Sequence, residues 1–254
     1  MMKVPSLNQA ILLSGLFIST LGVADENLVS VNKAETAIVI DGVATEPAWK
    51  NAPWLALDKH IVGEYPSSDD FSGRYKLLWD EQYLYLMAEL NDDVLFDQYA
   101  NPTEKYWDDD SLEVFIDEDA SGGNHQFSFN AFAYHVALDN QVADIGPNNP
   151  DGSTNFILLN KHVQSRWQRS ETKPYSITWE LAISLYDDSF SLTGKHTPVT
   201  LSKGKVVGFM LAYCDNDGSK IREHFVGSHD IKPKNGDKNS GYIDADVFGK
   251  IKLQ

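Results

Sequence analysis

The residues of this sequence best suited to chemistry are one carboxylate and three polar side chains on two predicted strands. In the first strand, alternation places Glu113 on the face opposite an apolar row, and in the second Gln126, Ser128 and Asn130 alternate with phenylalanine and alanine. If the two strands are neighbours, these carboxylate, amide and hydroxyl groups could hydrogen-bond adjacent hydroxyls of a polyhydroxylated ligand such as a sugar. Trp107, just before the first strand, could supply apolar surface. A solvated sheet face carries the same pattern, and that alternative stays open.

A second carboxylate, Asp117, shares a strand face with Glu113 and raises the alternative of a hydrolase. Four residues of strand separate the two backbones by about 13 Å. Glycoside hydrolysis uses carboxyl groups about 5 to 9.5 Å apart. The spacing therefore disfavours a catalytic pair.

Three acidic segments could hold Ca²⁺ through carboxylate oxygens: residues 108–110, 187–188 and 215–218. Aspartate in turns explains each of them equally simply, and residues 215–218 lack the spacing and distal glutamate of an EF-hand loop. The seven histidines show no metal-ligand spacing. The sequence leaves the metal ligands undetermined.

Composition excludes several classes of protein. The chain has 254 residues, 42% hydrophobic, with a formal net charge of -16. Such a surface repels nucleic acids and anionic lipid, and the apolar content is sufficient for one sizeable core. The single cysteine, Cys214, cannot form an intramolecular disulfide.

The N-terminus resembles a secretory signal peptide, with Lys3 before an apolar run of about a dozen residues and small residues ending at Ala24. A run this short does not span a bilayer, for which about 20 residues are needed. We expect a signal peptide at 1–24, cleaved before Asp25, a polar lead at 25–35 and one domain at 36–254. The predicted location is the bacterial periplasm or the exterior, with no membrane association after cleavage.

The body of the chain predicts strands and tight turns. The clearest hairpin joins 74–79 to 83–90 through the polar turn 80–82, and a helical turn is expected at 46–51. The other predicted strands are 37–40, 111–117, 126–133, 134–138, 156–163, 175–183, 206–215 and 248–253. Only 103–106 and 184–190 leave room for further short helices. Many short strands indicate an all-β protein, an antiparallel β-sandwich or jelly roll with one or two short helices.

Five motifs in order resemble the family 9 carbohydrate-binding modules. They are Ile40-Asp41-Gly42, Glu46-Pro47-Ala48-Trp49, Leu78-Trp79-Asp80-Glu81-Gln82-Tyr83-Leu84-Tyr85, Asp92-Asp93 and the segment from Trp107 to Asp117. The resemblance extends from about Val31 to the closing Phe248-Gly249 motif. It implies a calcium-containing β-sandwich that binds sugar chain ends between two aromatic side chains.

Carried over by position, Trp107 resembles the first aromatic residue of that family and Glu113 its carboxylate. Tyr242 and Asn239 resemble the second aromatic residue and an asparagine. The polar strand of the family corresponds to Gln126, Ser128 and Asn130. Here Ser128 replaces an arginine, and a family glutamine is replaced by Ala212. These losses predict a different ligand or a different ligand orientation.

The favoured interpretation is a secreted, non-catalytic protein that binds the ends of plant-type or marine polysaccharides and oligosaccharides. It would support carbohydrate catabolism alongside separate glycoside hydrolases, with a structural Ca²⁺. One alternative is an O-glycosyl hydrolase. The other is a haem-binding electron-transfer sandwich, in which Met87 or Met210 would ligate iron.

Overall fold

In a computed structural model, residues 1–2 and 28–254 are described, and nearly all of their regular structure is β. The strands are β1 (Leu28–Lys33), β2 (Leu55–Leu57), β3 (Lys59–Gly63), β4 (Phe71–Trp79), β5 (Leu84–Asp92), β6 (Ser111–Asp117), β7 (Phe132–Ala137), β8 (Val142–Gly146), β9 (Asn155–Leu158), β10 (Val163–Arg169), β11 (Ser176–Ile183), β12 (Val206–Asp215), β13 (His224–Gly227) and β14 (Gly249–Leu253). Three short 3₁₀ helices cover Pro47–Asn51, Tyr106–Asp108 and Ala245–Val247. The β-sandwich prediction is confirmed.

The sandwich consists of two sheets joined along one edge by β1. The first sheet has the order β10-β11-β5-β4, with β2 beside β4. The second has the order β14-β12-β6-β7-β8-β9, with β13 beside β12 and β3 beside β13. Within β1, Leu28 to Val31 pair with β14 and the last two residues pair with β4, in parallel both times. Part of the predicted polar lead, 25–35, therefore forms a strand, while the predicted signal peptide at 1–24 lies almost entirely outside the described residues.

Apolar residues of the facing strands fill the space between the sheets. Leu112, Val114 and Ile116 of β6 belong to this central cluster, together with Trp179 of β11. The other face of the second sheet is also covered, because Phe115 packs there in a second cluster. A strand that is buried on both faces can hold a polar side chain such as Glu113 in a fixed position.

The predicted hairpin and 3₁₀ turn are confirmed. Asp80 Oδ1 accepts hydrogen bonds from the backbone N–H groups of Gln82 and Tyr83, which closes the turn between β4 and β5. In the turn Pro47–Asn51, Trp49 is buried, and its Nε1 donates to Glu180 Oε1 at 3.1 Å. Among the described residues, no helix is long and apolar enough to cross a membrane.

Three element predictions are wrong. Residues 126–131 form turns and bends instead of a strand, because the Ser128 N–H donates to the His125 carbonyl at 3.0 Å and closes a turn. Residues 37–40 are irregular, and 184–190 contain no helix. A fourth prediction, the strand 156–163, is correct only in part, because a turn in which the His162 N–H donates to the Leu159 carbonyl divides it between β9 and β10.

Candidate functional site

A cavity of about 310 Å³ opens on the outer face of the second sheet. Strands β6, β7 and β8 form its floor, and the segments before β6, after β12 and before β14 form its walls. It combines aromatic and polar side chains: Tyr106, Trp107, Glu113, Gln126, Ala133, His135, Asp144, Ile145, Thr154, Phe156, Arg222, Asn239 and Tyr242. Its size and mixed lining suit a small polar ligand.

Aromatic rings stand on two sides of the cavity. The half-buried ring of Trp107 lies 5.2 Å from that of Tyr106 in an edge arrangement and 5.8 Å from that of Phe156. Tyr242 lines the cavity from the segment before β14 and is 36% exposed. The Trp107 ring, packed against its neighbours in this way, offers preformed apolar surface to a ligand.

Glu113 is fixed by three polar partners. Its Oε1 accepts from Cys214 Sγ at 3.2 Å and lies 3.4 Å from His135 Nδ1 and 3.6 Å from Arg222 Nη1. Burial opposes ionisation, but the hydrogen bond and charge of His135, together with the charge of Arg222, hold the pKa of Glu113 below its ordinary value. The side chain is therefore an ionised acceptor at neutral pH.

A second buried carboxylate, Asp144, lines the same cavity. Its oxygens accept from the N–H groups of Ile145 at 2.7 Å and Ala133 at 3.2 Å. Burial raises its pKa to about 7, and the negative charge of Glu113 acts in the same direction. Near neutral pH the cavity therefore holds one ionised carboxylate and one that is partly protonated.

The structure brings together most of the residues that the sequence marked for the site. Trp107, Glu113, Gln126, Asn239 and Tyr242 all line the cavity. Ser128 and Asn130 do not, because the predicted strand that would have aligned them with Glu113 is a turn. Ser128 is exposed, and Asn130 Nδ2 donates to the Gly122 carbonyl at 2.8 Å. Ala212 pairs directly with Glu113 across the sheet but packs in an apolar cluster.

Sequence reasoning missed His135, Asp144 and Arg222. His135 lies directly opposite Glu113 on β7, and it was missed because the preceding strand was predicted in the wrong place. Arg222 reaches the cavity from the turn between β12 and β13, donates to Cys214 Sγ at 3.0 Å and lies over the ring of Phe225 at 4.1 Å. No local pattern marks a residue in a turn for such a position. Arg222 places a guanidinium in the cavity.

Next to the cavity lies a buried acidic cluster of Asp92, Asp110 and Asp215, defined by carboxylate oxygens within 4.8 Å of one another. Both oxygens of Asp215 and Oδ1 of Asp92 have no hydrogen-bond partner among the described residues. Burial raises the pKa of Asp92 to about 6, of Asp215 to about 8 and of Asp110 to about 9, with further increases from neighbouring carboxylates. Burial and mutual proximity oppose ionisation of all three groups, a bound divalent cation would offset both effects, and an all-oxygen donor set of this kind suits Ca²⁺.

The acidic segments considered in the sequence contribute unequally to this cluster. Asp110 and Asp215 belong to it, whereas Asp109 accepts from the backbone of Gln98 at 2.9 Å. A neighbouring group combines Asp217 with Asp70 and Asp93. In the 187–188 segment, the Asp187 carboxylate accepts from the Ser189 N–H at 3.1 Å, which is a local turn contact.

The groups named for the two alternatives lie apart. Met87 packs with Trp49 in a cluster against the first sheet, and Met210 packs with Phe115 against the second. Both methionines are buried, and neither is among the residues that line the cavity. Asp117 is not among the residues that line the cavity with Glu113, and its Oδ2 accepts from the Gly122 N–H at 2.7 Å.

Comparison with known proteins agrees with this architecture. The exoglucanase XynX of Acetivibrio thermocellus is 26% identical over 212 residues, covering 84% of this chain and 16% of that protein. The endo-1,4-beta-xylanase C of Paenibacillus barcinonensis is 34% identical over 104 residues, covering 41% of this chain and 9% of that protein. The chain thus spans less than a fifth of the length of these multidomain relatives.

Two solved structures share the fold. One is a carbohydrate-binding module family 9 from Caldicellulosiruptor kristjanssonii in complex with cellotriose, with a TM-score of 0.63, 19% identity and coverage of 89% of this chain and 93% of that one. The other is a putative carbohydrate-binding protein from Bacteroides uniformis, with a TM-score of 0.61, 13% identity and coverage of 90% and 99%. The family profile described as carbohydrate family 9 binding domain-like matches residues 40–254. This chain therefore belongs to the carbohydrate family 9 binding domain-like family.

Proposed function

We propose that this protein is a secreted, non-catalytic binding protein that holds the terminal unit of an oligosaccharide or polysaccharide in the cavity beside β6. The observation that carries the proposal is the position of Glu113. This ionised carboxylate is held by three partners at the floor of a cavity with Trp107 on one side and Tyr242 on another. Aromatic faces and a fixed acceptor are what a sugar ring requires.

In the proposed complex, the sugar ring stacks on Trp107 while its hydroxyls contact polar groups. Glu113 accepts from one hydroxyl, and Arg222, Gln126 and Asn239 donate to others. An ionised acceptor forms stronger hydrogen bonds than a neutral one, so Glu113 is the main polar anchor. The cavity volume of about 310 Å³ suits one or two sugar units more than a long segment of chain.

The proposed ligand class is based on the names of the relatives and of a structural neighbour. Two of them are named exoglucanase and endo-1,4-beta-xylanase, and a structural neighbour is a complex with cellotriose. We propose β-1,4-linked glucose or xylose oligosaccharides as the ligand class, with separate glycoside hydrolases acting on the same polysaccharide. The matched region covers 16% or less of these enzymes, which supports a binding module and not their catalytic domain.

We also propose that the acidic cluster binds Ca²⁺. The support is the set of unpartnered, buried oxygens of Asp92 and Asp215 beside Asp110, because a divalent cation would compensate their charge. Bound there, Ca²⁺ would supply charge compensation and stiffness.

The test of the proposed function is titration calorimetry of the calcium-loaded protein with cellotriose and xylotriose, each also in its borohydride-reduced form. Saturable binding of the native sugars that is lost on reduction would support recognition of a reducing end. Absence of binding to every sugar would overturn the proposed function. Release of new reducing ends during incubation would instead support the hydrolase alternative.

A further inference from the structure

Two segments of the chain carry residues of both the acidic cluster and the cavity. In the first, Trp107 and Glu113 line the cavity on either side of Asp110, which belongs to the cluster. In the second, Asp215 belongs to the cluster and Arg222 lines the cavity. The cluster and the cavity are therefore connected by short stretches of backbone, three residues from Asp110 to Trp107 or Glu113 and seven from Asp215 to Arg222.

Asn216 links the two segments. Its backbone N–H donates to Asp110 Oδ1 at 2.8 Å, and its Nδ2 donates to the Asp108 carbonyl at 2.6 Å. Its Oδ1 accepts from the Ser219 N–H at 2.7 Å, which fixes the turn that leads to Arg222. Asn216 has no exposed surface, and each of its polar side-chain atoms is bonded to the protein.

A second contact ties the same segments together closer to the cavity. The Arg222 N–H donates to Asp108 Oδ1 at 3.3 Å, and Asp108 is the residue after Trp107. The backbone at Arg222 is thus tied by a hydrogen bond to the residue that follows Trp107. The first segment contains the buried carboxylate of Asp110, and the second begins at that of Asp215.

The chemistry of the cluster gives this linkage a direction. With no cation, burial and mutual proximity oppose ionisation of Asp92, Asp110 and Asp215, and no shared ligand holds their oxygens together. A bound divalent cation draws the same oxygens together. In this structure the carboxylate oxygens of the cluster lie within 4.8 Å of one another, and Trp107 and Arg222 both line one cavity.

We infer that Asn216 is a positioning residue that couples cation binding at the acidic cluster to sugar binding in the cavity. This inference rests on the proposed function. Calcium raises the affinity for the sugar, and by thermodynamic reciprocity the sugar raises the affinity for calcium by the same factor. Asn216 exerts this effect through the positions of Asp108, Asp110 and the 216–222 turn.

The test measures the coupling factor in the wild-type protein and in Asn216→Ala. Cellotriose is titrated calorimetrically into the chelator-treated protein and into the calcium-loaded protein, and calcium is titrated with and without cellotriose. We expect calcium to tighten cellotriose binding by about fivefold or more in the wild type, with the reciprocal factor equal. In Asn216→Ala we expect both ligands to bind alone and the factor to fall towards one.

Asn32→Ala is the matched control, because Asn32 Nδ2 also donates to a backbone carbonyl, that of Asn51. Asn32 pairs with Leu78 near the end of β4, whereas Asp92 of the cluster pairs with Phe71 at the start of that strand. This control should retain the wild-type factor.

The wild-type measurement gives a test that does not require folded Asn216→Ala: affinities for cellotriose that are equal with and without calcium overturn the inference. An unchanged factor in folded Asn216→Ala also overturns it. Absence of cellotriose binding by the wild type, with and without calcium, overturns the proposed function together with this inference.

Discussion

Glu113 is the residue on which the proposed site depends most. It lies on a strand with both faces covered, and its three polar partners come from β7, β12 and the turn after β12. Because His135 and Arg222 stabilise the negative charge, the carboxylate remains ionised in spite of burial. This environment distinguishes it from an ordinary surface glutamate.

Replacement of this charge tests its role directly. We expect Glu113→Gln to weaken sugar binding by about 1.5 to 3 kcal/mol, the range for a hydrogen bond to a charged group, while the fold is retained. Calorimetry with cellotriose provides the measurement. Glu89→Gln is the control. Glu89 is half exposed and pairs with Arg74 within the first sheet, whereas Glu113 lies in the second. Equal affinities of wild type and Glu113→Gln would remove Glu113 from the site.

Asp144 predicts a pH dependence of stability. Its pKa in the folded protein is about 7, against an ordinary value of 3.8, so the folded state binds the proton more tightly than the unfolded state. The stabilisation from this proton is complete below pH 3.8 and is lost as the pH rises to about 7. We therefore expect the free energy of unfolding of Asp144→Asn, relative to that of wild type, to increase from pH 4 to pH 7 and to stay constant above pH 7. Urea unfolding at several pH values measures this difference, and a difference independent of pH would contradict the expectation.

At the scale of elements, the long strands and the hairpin were predictable and the cavity walls were not. Alternation in β6 located Glu113 correctly because the strand has a strict period of two. The loop 126–131 alternates in the same way, yet the turn closed at His125 prevents an extended chain. Arg222 lies in a turn that is fixed by distant contacts to Asp108 and Cys214, so its position depends on tertiary structure that no local pattern encodes.

The 3₁₀ turn Pro47–Asn51 shows how a short element stabilises the fold away from the site. Trp49 is 2% exposed and covers the outer face of the first sheet, so we expect Trp49→Ala to lower the free energy of unfolding by about 3 to 5 kcal/mol. Trp54→Ala, at a tryptophan that is 38% exposed and contacts Arg74 and Lys76, should cost clearly less than Trp49→Ala. Urea unfolding measures both. Similar losses for the two variants would contradict the assigned packing.

At the scale of the whole molecule, the acidic cluster joins the two sheets. Asp92 ends β5 of the first sheet, whereas Asp215 ends β12 and Asp110 precedes β6 of the second. Tyr213 of the second sheet also donates to Asp92 Oδ2 at 2.7 Å. A cation at this place would connect the layers of the sandwich.

Calcium should therefore raise the thermal stability of the whole domain. At a free concentration of 100 times Kd, we expect a stabilisation of about 2.7 kcal/mol over chelator-treated protein. Differential scanning calorimetry measures the shift in Tm, and Asp215→Asn should reduce it. Identical Tm values with calcium and with chelator would show that the cluster does not bind the ion.

The most direct test of the central claim, that the cavity beside β6 binds a sugar, is a parallel calorimetric titration of wild type and Trp107→Ala with cellotriose, accompanied by their melting curves. Trp107 is half-buried at the cavity wall, so its loss should remove the stacking surface and leave the sandwich intact. The account predicts saturable binding by wild type, a loss of at least about 1 kcal/mol of binding free energy in the variant, and a Tm close to that of wild type. Binding by Trp107→Ala with unchanged affinity would contradict the account.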